Sequence, residues 1–500
     1  MSDQDLSRRE FLERTAYGAG LAGMAASLPA GTILAEAAEA AHRRAHMPSP
    51  RNMGIDHFVI LMMENRSFDH YFGWNPDADG MQHQTFRAPD GRMVPTQHFT
   101  TLGSGGTQYK GCGHEDPGHG WDNGRAQMRG GFLADGSGND ELALTYYNKG
   151  ELGFIHEAAR KYTMYDRYFC SLLASTWPNR YYKWSAQSGG KKDNTPPVAT
   201  GGNQWETIFD RALAHGLSAR YYNSDLPFSA VWGARGATWT NPIARYYDDC
   251  SAGTLPNIAI VDPPFKDGGG GDGLSADEHP LGDTRLGQAF MADVVNAFVA
   301  SPNYRRGIIF VIYDEWGGFF DHVKPPRTVD GRASSNPEED FAQMGFRIPP
   351  VVISPYTRGK KGRTHYRVDH GTYGHESILK MISYRFGLGY LNKRHRYARN
   401  IGRGFDWKNP DFMPPGLPDP PQIATEPCAQ GGGDINDAER AHENDLAALE
   451  GLAHRFRVPV YDSGPDQIFT HPDSVKRALR KARRRERRRE KRHHHHHHHG

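Results

Sequence analysis

The sequence is poor in cysteine, contains no uninterrupted apolar run of about 20 residues, carries no internal repeat and leans strongly to neither sign of charge. Cys112, Cys170, Cys250 and Cys428 are the only cysteines in 500 residues. They are too sparse for a disulfide scaffold and lack the spacing of metal ligands. One or two bridges are compatible with them, and the three pairings stay open. Without a long apolar run, an integral membrane bundle is excluded. Apolar residues at 37%, charged at 24% and aromatic at 11%, with 57 glycines and 33 prolines, exclude a coiled coil, a collagen-like chain and a wholly disordered protein. The formal charge of +2 hides an asymmetry. Residues 476–492 hold 12 basic and 2 acidic side chains, leaving 48 basic and 56 acidic ones elsewhere. A mildly acidic body therefore precedes a strongly basic tail.

The first forty residues read as a targeting segment. Ser7-Arg8-Arg9-Glu10-Phe11-Leu12 is a twin-arginine pattern, and an Ala/Gly-rich stretch follows over 16–34. Ala35-Glu36-Ala37 and Ala38-Glu39-Ala40 offer small-residue cleavage sites. The expected organisation is a twin-arginine signal peptide over 1–40, one large domain with Gly-rich loop insertions over 41–475, and a basic, His-rich tail over 476–500. The expected destination is the periplasm, the cell surface or the medium. The tail has no apolar stripe and is expected as a solvated extension; its functional counterpart is peripheral contact with anionic membrane or cell-wall polymer. Nucleic acid is not an expected partner.

Short apolar runs at 55–63, 217–222, 255–261, 307–313 and 348–354 predict strands. Helical spacing predicts helices over 151–162, 205–215, 284–300, 375–386 and 439–456, the last packed on the outside. The Gly-rich region 77–139 reads as loops. Strands alternating with helices predict an α/β fold, a mostly parallel central sheet with helices on both faces.

In such a sheet, ligands gather beyond the carboxyl ends of the strands. The residues after the first strand are Glu64-Asn65-Arg66-Ser67, and after 307–313 come Asp314-Glu315. Three carboxylates and an amide oxygen make an oxygen-rich cage for one divalent cation, whose identity the donors leave open. Ser175-Thr176-Trp177-Pro178 places a hydroxyl two residues before a proline suited to the first turn of a helix, where backbone N–H groups favour an anion.

The runs IDHFVILMMENRSFDHYFG (55–73), STWPNRYY (175–182), DEHP (277–280), IIFVIYDEWGGFFDHV (308–323) and YGHESILKMI (373–382) resemble the bacterial phospholipase C and acid phosphatase (phosphoesterase) family. The resemblance implies a core similar to the alkaline phosphatase and arylsulfatase fold. It implies Glu64, Asn65, Asp314 and Glu315 as metal ligands and Thr176 as the hydroxyl phosphorylated during turnover, with Ser175 as the neighbouring alternative. His119 is implied as a phosphate contact and His279 as a second histidine able to protonate the leaving group. Asn179, Arg180 and His322 are the remaining substrate contacts. At 373–377 the chain has Tyr-Gly-His-Glu-Ser where the family often has Tyr-Asp-His-Thr-Ser, which removes an aspartate. The activity implied is an exported phospholipase C acting through a phosphothreonine, with a broad acid phosphatase as the near alternative. A non-catalytic envelope binding protein is the more distant one. A sulfatase is set aside, because Cys170 lacks the Cys/Ser-x-Pro-x-Arg context.

Overall fold

The run Gly-Ile-Ile-Phe-Val-Ile-Tyr has no polar face, so a strand made from it must be covered on both sides. In the computed structural model every residue of it is buried, as is residue 58–63 of its neighbour. The structure describes residues 47–99, 116–198, 200–266, 275–280, 282–359, 365–419 and 437–461. The expected signal peptide, the basic tail, Cys112 and Cys428 lie outside them.

Eight strands form one sheet: β1 (His57–Met63), β2 (Thr163–Tyr165), β3 (Ala219–Asn223), β4 (Thr240–Pro242), β5 (Ile258–Asp262), β6 (Gly307–Tyr313), β7 (Val351–Ile353) and β8 (Arg367–Asp369). Their order is β8-β2-β7-β6-β1-β5-β3-β4. From β6 to β4 all neighbours are parallel, with His57 opposite Gly307 and Met63 opposite Tyr313. The predicted mostly parallel α/β sheet is what is found. One departure is β7, which runs antiparallel to both β6 and β2. The chain leaves β6 at the carboxyl edge and re-enters the sheet without a crossover helix, so it runs back.

Helices of nine or more residues among the described ones are α1 (Trp121–Gly130), α2 (Gly153–Lys161), α3 (Thr176–Ser185), α4 (Ile243–Ala252), α5 (Thr284–Ala300), α6 (His375–Phe386) and α7 (Asp437–Phe456). α5 packs with α2 and α4, and α6 packs with α3. No helix among the described residues is long and apolar enough to cross a membrane.

One expectation needs correction, and three short strands carry no prediction. Region 77–139 is not all loop, for it contains α1, whose Gly124 and Gly130 mask the helical pattern. Strands β2, β4 and β8 have three residues each, too few for a period to show. The late helix lies on the outside where it was expected, one face in solvent and the other packed over the residues at the carboxyl ends of the strands. Cys170 and Cys250 are free and buried, so neither forms a bridge. Accordingly, iodoacetamide under denaturing, non-reducing conditions should alkylate both in full, and a mass spectrum showing either one protected would contradict this.

Candidate active site

The functional side chains sit where two adjacent parallel strands end. Glu64 and Asn65 follow β1, and Asp314 and Glu315 follow β6. The backbone locks the two ends together. Asp314 Oδ1 accepts from the N–H groups of Asn65 (2.9 Å) and Glu315 (2.8 Å), and Arg66 N–H donates to the Glu315 carbonyl (3.1 Å). Gly317, at φ +66°, turns the chain so closely past Asn65 that a Cβ there would lie 2.2 Å from the Asn65 carbonyl oxygen. A third segment joins at Asp277, whose carbonyl accepts from Glu64 N–H (2.9 Å). Glu278 anchors that segment, as Tyr71 and Tyr313 donate to its carboxylate and Arg66 donates to its carbonyl (2.9 and 2.7 Å).

Burial and then Glu64 and Glu315 push the Asp314 carboxyl well above its ordinary range; burial also pushes Glu315 up. Arg180 supplies part of the missing counter-charge. It donates to Glu64 Oε1 from Nε (2.9 Å) and Nη2 (2.5 Å), and to Asp262 Oδ1 (2.9 Å).

The histidines decide how the Asn65 amide points. With its nitrogen turned toward the carboxylates it would donate to Glu64 Oε2 (3.1 Å) and Glu315 Oε1 (2.8 Å), and its oxygen would accept from His279 Nε2 (2.9 Å). That last bond needs a proton on Nε2. His279 Nδ1 donates to the Pro280 carbonyl (2.9 Å), and burial followed by His442 lowers the ring to about 3, so the neutral ring has none to give. The opposite orientation remains: amide nitrogen toward His279, amide oxygen toward the carboxylates. Glu64 Oε2, Asn65 Oδ1 and Glu315 Oε1 then converge with no hydrogen between them, and Thr176 Oγ1 lies 3.4 Å from both Glu64 Oε2 and Asn65 Oδ1. Such a set of oxygens fits a divalent cation. His119 is held in the opposite state to His279. Its Nδ1 lies 2.7 Å from Glu315 Oε1 and its Nε2 3.2 Å from Asp116 Oδ2. Burial opposes the charge, but these two carboxylates raise the ring well above its usual value.

Comparison with known proteins now decides the family. The family model described as "Phosphoesterase family" matches residues 55–389. The chain belongs to the phosphoesterase family. Relatives include "Non-hemolytic phospholipase C" of Pseudomonas aeruginosa, 28% identical over 83% of this chain and 66% of that protein. "Phospholipase C B" of Mycobacterium tuberculosis is 29% identical over 77% of this chain and 82% of its own length. "Non-specific phospholipase C6" of Arabidopsis thaliana is 27% identical over 68% and 69%. The chain thus spans just under two thirds of the Pseudomonas relative. A solved protein of the alkaline phosphatase superfamily from Vibrio parahaemolyticus aligns at a TM-score of 0.31 and 10% identity, too weak a likeness to bear on the fold, which rests on the sheet itself.

Within this phosphoesterase, Glu64, Asn65, Asp314, Glu315, Thr176, His119 and His279 are brought together. Thr176, the first residue of α3, faces the cage, whereas Ser175 Oγ turns away to donate to Asn194 Oδ1 (3.0 Å). Trp177 N–H also donates to Asn194 Oδ1 (2.8 Å), so it is not open to an anion. Of the three expected substrate contacts, two are placed otherwise. Arg180 lines the pocket beside Thr176, its guanidinium bound to Glu64 and Asp262. Asn179 is fully buried, and its amide nitrogen donates to the carbonyls of Leu172 (3.0 Å) and Ala174 (2.9 Å), shaping the turn before α3. His322 contacts Asp69 (2.6 Å) and Asp79 (3.0 Å), away from the cage, in a cluster where Arg347 neutralises Asp321 (2.8 Å) and Asp69 (3.1 Å).

Several residues of the site carry no assignment from sequence reasoning. Asp116 stands in the same Asp-Pro-Gly-His run as His119, and its position three residues away was the available signal. His375, in the departed motif, donates from Nε2 to the Asp314 carbonyl (2.8 Å), while its neighbour Glu376 accepts from Arg394 (2.8 Å). The lost family aspartate thus leaves a segment that still braces Asp314. Asn194 and His442 gave no local pattern at all. Replacing Arg180 with Met would leave Glu64 and Asp262 short of a buried partner; unfolding in denaturant should show a loss of about 3–5 kcal/mol, and a loss below about 1 kcal/mol would mean the guanidinium is not committed to them.

Proposed function

We propose that this phosphoesterase hydrolyses phosphoric esters as a phospholipase C, releasing diacylglycerol and a phosphorylated head group. The observation that carries this reading is Thr176 Oγ1 at the first position of α3, 3.4 Å from oxygens of Glu64 and Asn65, in a chain whose relatives are named phospholipases C. Thr176 Oγ1 attacks phosphorus and forms the Oγ1–P bond, its proton passing to Glu64 Oε2, the carboxylate oxygen beside it. The bond from phosphorus to the glycerol oxygen breaks opposite the attacking oxygen. His119, protonated between Asp116 and Glu315, gives the leaving oxygen its proton. Water then displaces Thr176 from phosphorus: its proton goes to His119, left neutral by the first step, the Thr176 oxygen takes its proton back from Glu64 Oε2, and the phosphorylated head group departs. Glu64, Asn65, Asp314 and Glu315 would hold one divalent cation. When bound, it would lower the pKa of the attacking hydroxyl and offset charge building on the phosphoryl oxygens.

The twin-arginine pattern supports export, and the basic residues of 476–492 support contact with anionic surfaces, both outside the described residues. The test compares p-nitrophenyl phosphorylcholine with p-nitrophenyl phosphate, with and without chelator. Release mainly from the choline diester, lost with chelator and reduced about a thousandfold or more in Thr176→Ala, is expected. Release mainly from the monoester would move the assignment to a phosphatase. A Thr176→Ala enzyme as active as the wild type would remove Thr176 as nucleophile.

A further inference from the structure

The pocket above Thr176 has one wall that lies beyond residues 55–389 of the family match. Its floor is Glu64 and Thr176, and Trp177, Phe228 and Phe265 form one side. The other side is α7, which presents His442, Asp445, Leu446 and Leu449.

The inward residues of α7 recur at helical spacing: His442, Asp445, Leu446, Leu449, Leu452 and Ala453 are all at least partly buried. Leu449, Leu452 and Ala453 are buried in the apolar core, as expected of any packed helix, and Leu449 also lines the pocket. Contacts from the same face reach the site. The His442 ring stacks on His279, with centroids 3.7 Å apart and planes 14° from parallel. Asp445 Oδ2 accepts from Asn194 Nδ2 (2.7 Å), the residue whose oxygen holds Ser175 and Trp177 at the start of α3. Lys266 reaches Glu450 (2.9 Å), and Tyr461 N–H donates to the Asp225 carbonyl (3.1 Å), fixing the end of the helix. Two polar contacts thus run directly from α7 to the residues around the nucleophile, and two leucines face the cavity between them.

Resting on the phosphoric ester reading above, we infer that α7 is part of the active site. Leu446 and Leu449, opposite Trp177, Phe228 and Phe265, form the subsite for the apolar alcohol side of the ester. His442 is a positioning residue that holds the plane of His279, and through it the direction of the Asn65 amide. Acyl chains leaving with the glycerol oxygen bury against these five apolar side chains, of which the two leucines offer nothing to a charged head group.

The test uses the full chain and two substrates with the same head group. Dihexanoylphosphatidylcholine, kept below its micelle concentration, carries acyl chains; p-nitrophenyl phosphorylcholine does not. The double variant Leu446→Ser, Leu449→Ser should raise KM for the first about tenfold and for the second, whose single ring reaches less of the wall, clearly less. An unchanged ratio between the substrates, an equal loss on both, or a gain on the lipid would overturn the subsite. His442→Ala should lower kcat on both substrates with KM unaltered, and His442→Phe, which keeps a flat ring, should recover most of it. A phenylalanine variant no better than alanine would overturn the positioning role. Titration calorimetry of dihexanoylphosphatidylcholine into Thr176→Ala, with and without the serine pair, reads the wall without turnover. Weaker binding with the serines supports the subsite even if Thr176 proves not to be the nucleophile, and equal binding removes it even if Thr176 is.

Discussion

Everything at the carboxyl end of this sheet depends on burying carboxylates together. Glu64, Asp314 and Glu315 stand at two neighbouring strand ends, and Asp116, Asp262 and Asp277 lie within the same buried region. Facing them are Arg180, Lys183 and His119. Like charges brought this close out of water repel by several kcal/mol at low effective dielectric. The fold meets that cost partly with fixed cations: Lys183 and Arg180 hold the Asp262 carboxyl below its usual range against the effect of burial. Burial itself lowers Lys183 to about 8, so even this cation is held only by its neighbours. The remaining excess is concentrated at Glu64, Asp314 and Glu315. Negative charge left unbalanced at one place would be relieved by a positive charge from outside the chain.

That constraint explains why so much of the surrounding chain is bracing. Carboxylates that repel one another would move apart unless their backbones were tied, and they are tied by hydrogen bonds between strand ends rather than by side chains alone. Gly317 and Gly318, both at positive φ, let the chain after Glu315 return across Asn65 and across the loop before His119. Glu278, in the left-handed region at φ +70°, holds a third segment against Arg66, Tyr71 and Tyr313. Asn179 and Arg180 belong to the same scaffold: one shapes the approach to α3, the other fixes Glu64.

Much of this was legible in the sequence because the signals were local. An all-apolar strand followed directly by acidic residues marks both a buried parallel strand and the chemistry at its end, and β1 and β6 each show it. α5 and α6 start and stop where the helical spacing does. Three-residue strands carry no period, and glycines within α1 lower its helical signal. Arg180 beside Thr176 looks like a phosphate ligand in one dimension. Only the fold shows that its guanidinium, while lining the pocket, is bound to Glu64 and Asp262. For the same reason α7 could be read as a helix but not as a wall, since its partners His279 and Asn194 lie more than 150 residues away in the chain.

The two histidines show how one acidic environment can set opposite proton states. His119 lies between two carboxylate oxygens, each favouring a proton on the facing nitrogen. His279, 160 residues further along the chain but with its ring centroid only 6.2 Å away, has a carbonyl at Nδ1 and an imidazole stacked on its face. Burial and the His442 ring outweigh the Pro280 carbonyl and Asp116, which favour a second proton, so the ring is held neutral with Nε2 bare. The bare nitrogen orients the Asn65 amide, the amide oxygen completes the cage, and the cage faces Thr176. A chain of single hydrogen bonds therefore connects the Pro280 carbonyl to the Thr176 hydroxyl, and each link fixes the direction of the next. Breaking it at His279 would disturb the cage without touching any of its carboxylates, which makes the histidine a structural element of the site.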